Sequence, residues 1–269
     1  MAPASKKDKV LPPVHPNVAV EERLRKRLEA LVDEMHNSIM YWVGAAYKAN
    51  EPEISMALDA SPAAELQKTM KRLGVQWEGR FSQASKELAA YFAKAAKDRS
   101  DVALKGILKK GGFSVKFKMS RTMNDVLQAT IAEQVGLIKS IPDKYLLDVQ
   151  GAVMRSVQTG HDLKTLSDEL QQSFGVTKRR AAFIARDQNN KATANFTRVR
   201  QTELGITEAI WRHSGGGRHP RPTHVTAGRE KIKYNVAEGW YDPAVDKYIL
   251  PGELPNCRCV SRSVIPGFI

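Results

Sequence analysis

The chain has 269 residues, of which 42% are apolar and 26% charged, so it can bury a sizeable core, and its composition excludes disordered, collagenous and disulfide-stapled proteins. Its formal net charge of +13 fits a polyanionic partner, such as nucleic acid or an acidic protein surface, and equally fits a surface of solvated Lys and Arg. The start of the chain lacks the apolar core of a secretory signal, and the longest apolar run, residues 39–47, is too short to span a bilayer. We therefore expect no membrane segment, and synthesis in the cytoplasm.

Residues 1–17 combine lysines with prolines and show no periodic apolar pattern. This composition predicts a flexible, extended basic tail. An arm that contacts a neighbouring molecule or nucleic acid fits the pattern, and so does a terminus without a role.

Two long amphipathic helices are predicted within residues 18–112. In the first, which begins near Val18, apolar residues recur at helical spacings. Ser61 and Pro62 are a favourable N-cap and first position for the second, which keeps a near-heptad rhythm as far as Ala95. The short connection between the two predicts an antiparallel helical hairpin.

A central helical region is predicted over residues 113–205. Residues 113–119 (FSVKFKM) alternate apolar and polar side chains, which indicates a short strand or an extended segment. Apolar periodicity then predicts four helices, over residues 122–138, 143–157, 162–174 and 177–203. Pro142 separates the first two, and Thr177 is the expected N-cap of the last.

From Ile206 onward, helical periodicity disappears and Gly, Pro and aromatic residues dominate. This pattern predicts a small α+β module of short strands and ordered loops over residues 206–269. The predicted fold is therefore mainly α, with an N-terminal long helical hairpin, a central helical bundle and a loop-rich, strand-containing C-terminal end.

The most basic stretch is residues 176–200, with seven Lys or Arg side chains and one Asp. Clustered cations of this kind bind phosphates, and positive charge in the first turn of a helix favours an external anion. The charges lie on several helical faces, so a solvated or internally paired surface is the alternative. The candidate nucleic-acid or anion contacts are Lys178, Arg179, Arg180, Arg186, Lys191 and Arg198.

A second constellation combines HPRPTH at 219–224 with CRC at 257–259. Its imidazoles and thiols could supply four tetrahedral zinc ligands, namely His219, His224, Cys257 and Cys259. The Cys-x-Cys spacing is shorter than that of a zinc ribbon, and the two prolines predict an extended histidine segment. The alternative has no cofactor: His224 hydrogen-bonds backbone carbonyls, and the cysteines pack as small buried groups.

Enzymatic interpretations of the same residues are a thiol hydrolase and a nuclease. A cysteine beside His224 could form a thiolate–imidazolium pair, although no protease or transferase signature accompanies it. The paired carboxylates with a following Lys that would indicate a two-metal nuclease are absent from the sequence, as are phosphate-binding and dinucleotide-binding glycine motifs.

From Ser140 onward, the sequence resembles the phage Mu F-like minor head proteins, and the similarity extends over about residues 120–262. The family pattern has an Ile-Ala-Arg helix, a Gly-Ile…Trp strand, an Arg-x-x-His loop and a closing Asn-Cys-Arg-Cys. Here those positions are Ile184, Ala185, Arg186, Gly205, Ile206, Trp211, Arg221, His224, Asn256, Cys257, Arg258 and Cys259. Asp187-Gln188 follows Arg186 where many relatives have Thr-Glu, and Arg218-His219 stands where relatives often carry an acidic residue.

The resemblance implies a structural, non-enzymatic component of a tailed-phage head, bound near the portal protein in the capsid interior and present in the host cytoplasm during assembly. It implies a role in head assembly, DNA packaging or ejection, with portal protein, capsid interior and packaged double-stranded DNA as partners. A phage-encoded nuclease or thiol hydrolase centred on His224 and Cys257 or Cys259 is the alternative. A stand-alone DNA-binding protein is the second alternative.

Overall fold

The structure, a computed structural model, describes residues 8–49, 62–159, 163–217 and 219–266. Its helices are α1 (Val18–Ala49), α2 (Pro62–Lys110), α3 (Arg121–Thr159), α4 (Leu163–Glu203) and α5 (Pro222–Arg229). Its strands are β1 (Lys9–Val10), β2 (Glu208–Arg212), β3 (Lys233–Asn235), β4 (Trp240–Asp242), β5 (Lys247–Ile249) and β6 (Val260–Ile265). The predicted mainly α fold with a small α+β C-terminal module is confirmed. Within the described residues, no helix is both long and apolar enough to cross a membrane.

The chain divides into two compact units whose boundaries differ from those of the predicted domains. We call residues 22–90 and 132–185 the helical unit, and residues 1–21, 91–131 and 186–269 the mixed unit. Helices α2, α3 and α4 each contribute one segment to each unit. Sequence periodicity marks where a helix begins and ends, and it carries no information about which unit each half of a long helix joins.

The helical unit is a four-helix bundle. The guanidinium of Arg72 lies 4.6 Å from the ring centroid of Trp42, and Arg80 forms an ion pair with Glu34, so α1 and α2 run antiparallel. The predicted hairpin requires this antiparallel arrangement of two helices that follow each other in the chain. Helices α3 and α4 are also antiparallel, as shown by the ion pair Arg155–Glu169 and the hydrogen bond from Arg180 to Ser140.

Two predicted helix breaks are wrong, because α3 continues through Pro142 and α4 continues through Thr177. Pro142 deprives α3 of one backbone hydrogen bond. The neighbouring Ile138 and Ile141 are fully buried, and their apolar burial offsets that loss. Thr177 donates its hydroxyl to the carbonyl oxygen of Ser173, 2.9 Å away, which satisfies it inside the helix instead of at a cap.

The prediction of a flexible tail is wrong for residues 8–17. Strand β1 pairs antiparallel with β6, and Lys9 lies opposite Ile265. Leu11 and Val14 are buried in an apolar cluster with residues from the end of α2. Two strand residues and two apolar anchors are too few to show a period, so the pattern was not detectable from the sequence. Residues 1–7 lie outside the described residues.

The mixed unit contains a four-stranded antiparallel sheet with the order β1-β6-β2-β3 and a separate β4–β5 pair. Residues 113–119 form no strand. Burial alternates along residues 113–117, and Phe113, Val115 and Phe117 are partly buried against the cluster that holds Leu11. A second core surrounds Trp211 and carries both cysteines of the CRC segment. This core positions the candidate site.

Candidate functional site

His224 is placed by the short helix α5. Arg221 is the N-cap residue with an extended backbone, and Pro222 occupies the first turn, where its missing N–H costs nothing. The histidine segment is therefore helical from Pro222 onward, and the prediction that it is extended through His224 is wrong. Arg221 donates a hydrogen bond to the carbonyl oxygen of Pro255, 3.0 Å away, which links α5 to the CRC loop.

The CRC loop is anchored to α4. Asn256 adopts a left-handed backbone conformation with φ of 59°, and its N–H donates to the carboxylate of Asp187. Lys191, one turn further along α4, forms an ion pair with the same carboxylate at 2.9 Å. The N–H of Cys257 donates to the carbonyl oxygen of Leu254 at 2.9 Å and closes the turn. The loop geometry therefore depends on a buried carboxylate that no metal or catalytic motif marked in the sequence.

These contacts bring three of the four predicted zinc ligands together. The Nδ1 atom of His224 lies 3.5 Å from the Sγ atom of Cys257 and 3.7 Å from that of Cys259. All three side chains are buried. Trp211 packs edge-on against the imidazole, with ring centroids 5.0 Å apart. The site is thus a closed cluster of two sulfurs and one nitrogen beneath an aromatic ring.

Asp242 lies on the other side of the imidazole and is fully buried. Its Oδ2 atom is 3.3 Å from Nε2 of His224, within ion-pair distance, although the two atoms lack hydrogen-bond alignment. Thr223 donates to the same oxygen at 3.2 Å, and the N–H of Ala244 donates to Oδ1 at 3.0 Å. Asp242 could not be selected from the sequence, because its contact with His224 depends on long-range packing and no spacing rule connects the two residues.

The two thiols of the cluster differ in acidity. The hydrogen bond from the Cys259 thiol lowers the pKa of Cys257, and His224 adds to this effect, while burial opposes it. The same bond, together with burial, raises the pKa of Cys259. The pair therefore favours one thiolate, on Cys257, which is the form that binds metals or attacks electrophiles.

His219, the fourth predicted ligand, lies apart from the cluster. It is exposed, and its nitrogens do not belong to the group of donor atoms formed by His224, Cys257 and Cys259. His219 and His213 instead line a cleft of about 240 Å³ whose wall includes those three residues. The exposed His219 and the half-buried His213 therefore line the cleft that borders the buried cluster.

The predicted anion-binding cations do not share one exposed surface. Lys178 forms an ion pair with Asp33 and Lys191 with Asp187, each at 2.9 Å. Arg179 is exposed, and the remaining three cations are half-buried, namely Arg180, Arg186 and Arg198. Residues 178–180 belong to the helical unit and residues 186–198 to the mixed unit. Two of the six candidate cations, Lys178 and Lys191, are therefore paired internally, which was the alternative to anion binding in the sequence analysis.

The second half of α4 carries a buried polar face that sequence analysis did not identify. Gln201 donates to the hydroxyls of Ser261 and Ser263, and Asn189 donates to the carbonyl oxygen of Asn17. The face also includes Asp187, Gln188, Asn190, Thr193, Thr197 and Arg200. Polar residues in such a run suggest solvent exposure, but here they hold β6 and the residues before α1 against the helix.

The motif residues separate into two groups. Ile184 is buried in the helical unit, whereas Arg186 begins the α4 segment of the mixed unit. The others lie together in the mixed unit around the cleft and the Trp211 core, namely Trp211, Arg221, His224, Asn256, Cys257, Arg258 and Cys259. Most of the sequence motif is therefore one structural site built from α5, the CRC loop and β2.

Comparisons with known proteins match the part of the chain that contains this site. Residues 147–262 match the family described as phage Mu protein F like protein. The chain is 34% identical over 152 residues to an uncharacterised protein of Haemophilus influenzae, a match that covers 56% of this chain and 32% of that protein. The chain thus spans about a third of the length of the curated relative it matches. No solved structure matches the chain. The resemblance seen in the motifs is confirmed, because residues 147–262, which contain the whole site, match the phage Mu F-like family.

Proposed function

We propose that this protein is a minor head protein of a tailed phage that binds near the portal inside the capsid and supports head assembly, DNA packaging or ejection. The observation that carries the proposal is the family match over residues 147–262, which includes α5, the CRC loop and the Trp211 core. The family is one of phage head-morphogenesis proteins, and the role proposed here follows from it.

The geometry of the site supports a structural role for the motif residues. Asn256 fixes an irregular loop against α4, and Cys257 and Cys259 of the same loop contact His224 of α5. Arg221, the N-cap residue of α5, also binds this loop. Each of these contacts satisfies a polar group in a region with little regular secondary structure, as buried backbone requires. The motif therefore maintains the shape of the mixed unit.

Co-expression with the portal protein of the same phage tests the proposed partner. We expect the two proteins to co-purify and to form crosslinks that mass spectrometry detects. The major capsid protein, co-expressed without the portal protein, should not co-purify with this chain. A portal that neither co-purifies nor crosslinks with it would contradict portal binding.

A thiol hydrolase is the second candidate, because the structure aligns Cys257, His224 and Asp242 in the order of a nucleophile, a base and an orienting carboxylate. Two observations oppose it. A second sulfur, that of Cys259, faces the same Nδ1 atom, and both thiols are almost fully buried. An active hydrolase would release product from thioester or ester substrates at a rate abolished by Cys257→Ser, whereas we expect no turnover.

Direct DNA contact is a further part of the proposal, supported by the net charge of +13. Binding of this kind weakens steeply with salt, because each neutralised phosphate releases counterions. We expect salt-sensitive binding to double-stranded DNA without cleavage in the presence of divalent metal ions. Cleavage that is lost in His224→Ala would favour the nuclease alternative.

A further inference from the structure

We propose that Cys257, Cys259 and His224 bind a zinc ion that fixes the CRC loop to α5. This site does not depend on the proposed function in the phage head. The donor atoms of the three residues all lie within 4.8 Å of one another, and all three side chains are buried. Two thiolates and one imidazole are a soft donor set that suits zinc better than magnesium, calcium or manganese.

The distances fit one ion placed among the three atoms. Bonds of about 2.3 Å to sulfur and about 2.05 Å to nitrogen, at tetrahedral angles, hold a sulfur and a nitrogen about 3.6 Å apart. The two S–N distances in the cluster are 3.5 and 3.7 Å. Without a metal ion, Nδ1 has a single lone pair and accepts from one thiol, while the Cys259 thiol donates to Cys257, so hydrogen bonding to the imidazole accounts for one of these distances. A shared ion accounts for both.

Asp242 supplies the second, independent observation. A metal-binding histidine commonly directs its other ring nitrogen at a carboxylate, which fixes the tautomer and makes the ligating nitrogen more basic. The carboxylate of Asp242 is fully buried and faces Nε2 of His224, and Thr223 and the N–H of Ala244 hold it in place. A proton on Nε2 leaves the lone pair of Nδ1 directed at the two sulfurs.

The fourth coordination position faces the cleft. His213 and His219 line that cleft but lie outside the donor cluster, and the N–H of Gly215 already donates to Nδ1 of His213. Solvent in the cleft can therefore complete the tetrahedron. This assignment differs from the set expected from the sequence, because His219 is replaced as a ligand by water.

Metal content of the full chain tests the proposal. The protein is purified under reducing conditions with a tag that contains no histidine. Bound zinc is then measured by inductively coupled plasma mass spectrometry. We expect one zinc per chain in the unmodified protein and in His219→Ala, and loss of zinc in His224→Ala, Cys257→Ser and Cys259→Ser. Zinc that is retained in His224→Ala but lost in His219→Ala would overturn the ligand assignment.

Cobalt substitution tests the site in the unmodified protein, so the result does not depend on variants that could fail to fold. Cobalt bound to the unmodified protein should show the intense visible bands of a tetrahedral site and a thiolate-to-metal charge-transfer band. Asp242→Asn should keep these bands while lowering zinc affinity about 10- to 100-fold. Asp246→Asn, the same change in the β4–β5 turn at a residue that contacts Tyr241, should leave the affinity unchanged.

Three results would overturn the proposal. The first is a reduced, folded protein that takes up neither zinc nor cobalt in excess metal. The second is a Cys257–Cys259 disulfide that persists under the reducing conditions. The third is alkylation of Cys257 at the same rate before and after addition of zinc, because a coordinated thiolate is protected from alkylation.

Discussion

Arg200 is a buried cation in the mixed unit with several polar partners. Its side chain is 2% exposed, and its guanidinium forms a two-pronged ion pair with Asp101, at 2.8 and 2.9 Å. It also donates to Glu203 and to the carbonyl oxygen of Lys118, and it lies over the ring of Phe117. The planar guanidinium matches these acceptors in a way that an ammonium group cannot.

Replacing Arg200 should therefore destabilise the protein strongly. Arg200→Met leaves the partly buried Asp101 without its main partner, and we expect a loss of about 3 kcal/mol in the free energy of unfolding. This value is at the lower end of the range for removing one partner of a buried ion pair, because Lys97 also contacts Asp101, at 3.0 Å, and still partly neutralises it. Urea unfolding measures the change. The control Arg179→Met removes an exposed cation from the same helix, and an equal loss in both would contradict this account.

His36 gives the helical unit a pH dependence. It stacks on Phe174 with ring centroids 4.0 Å apart, and its nitrogens contact the Tyr145 hydroxyl at 2.6 Å and the Gln171 side chain at 3.2 Å. Burial lowers the pKa of His36 below its ordinary value of 6.5, while the Gln171 contact and Asp33 partly oppose that shift. The folded protein therefore holds a proton on His36 less tightly than the unfolded chain does.

The sign of the effect follows from this difference. As pH falls below about 6.5, the unfolded chain gains a proton at this position before the folded protein does, so the free energy of unfolding decreases until pH reaches the lowered folded pKa. His36→Gln should remove this part of the pH dependence, and His15→Gln, at an exposed position, should not. Thermal unfolding across this pH range is the measurement. Identical pH profiles for the protein and His36→Gln would contradict the assignment.

At the scale of elements, α5 is fitted closely against the residue that follows β2. A Cβ atom added at Gly228 would lie 2.5 Å from Cβ of His213 and 2.7 Å from its backbone nitrogen. The backbone at His213 cannot move away without disturbing β2, whose end carries Trp211. A glycine is therefore required at position 228 because the helix lies too close to His213 for a side chain, and not because of a turn.

Gly228→Ala should consequently destabilise the protein by about 1–3 kcal/mol, the usual cost of overfilling a packed contact. Gly106→Ala is the matched control, because it lies inside α2 with no atom within 4 Å of the added methyl group. That change should raise the stability by about 0.5–1 kcal/mol through helix propensity. The two free energies of unfolding must therefore change in opposite directions, and a stabilising Gly228→Ala would contradict the packing described here.

The limits of prediction from sequence are visible in the same elements. Helices α1 and α2 were predictable because their apolar periodicity is unbroken, and the continuity of α3 through Pro142 was not, because packing outweighs the local preference. His224, Cys257 and Cys259 could be selected by residue type. The placement of Asp242 behind the imidazole and of Asp187 beneath the CRC loop depends on contacts between distant segments, which no local pattern records.

At the scale of the whole molecule, two compact units have separate features. The helical unit contains His36 and its buried contacts, and the mixed unit contains the cleft, the three-residue cluster and most of the family motif. The family match of residues 147–262 includes parts of both units. The N-terminal part of the helical unit, residues 22–90, precedes that match.

The composition of purified phage particles tests the central claim most directly. Quantitative mass spectrometry of procapsids and mature heads should find this protein at low copy number relative to the major capsid protein, and particles made without it should be defective in assembly or in DNA content. Restoration by the unmodified gene and by His219→Ala would show that the defect comes from this protein. Its absence from every particle form, with particles of normal number and DNA content when the gene is deleted, would contradict the account.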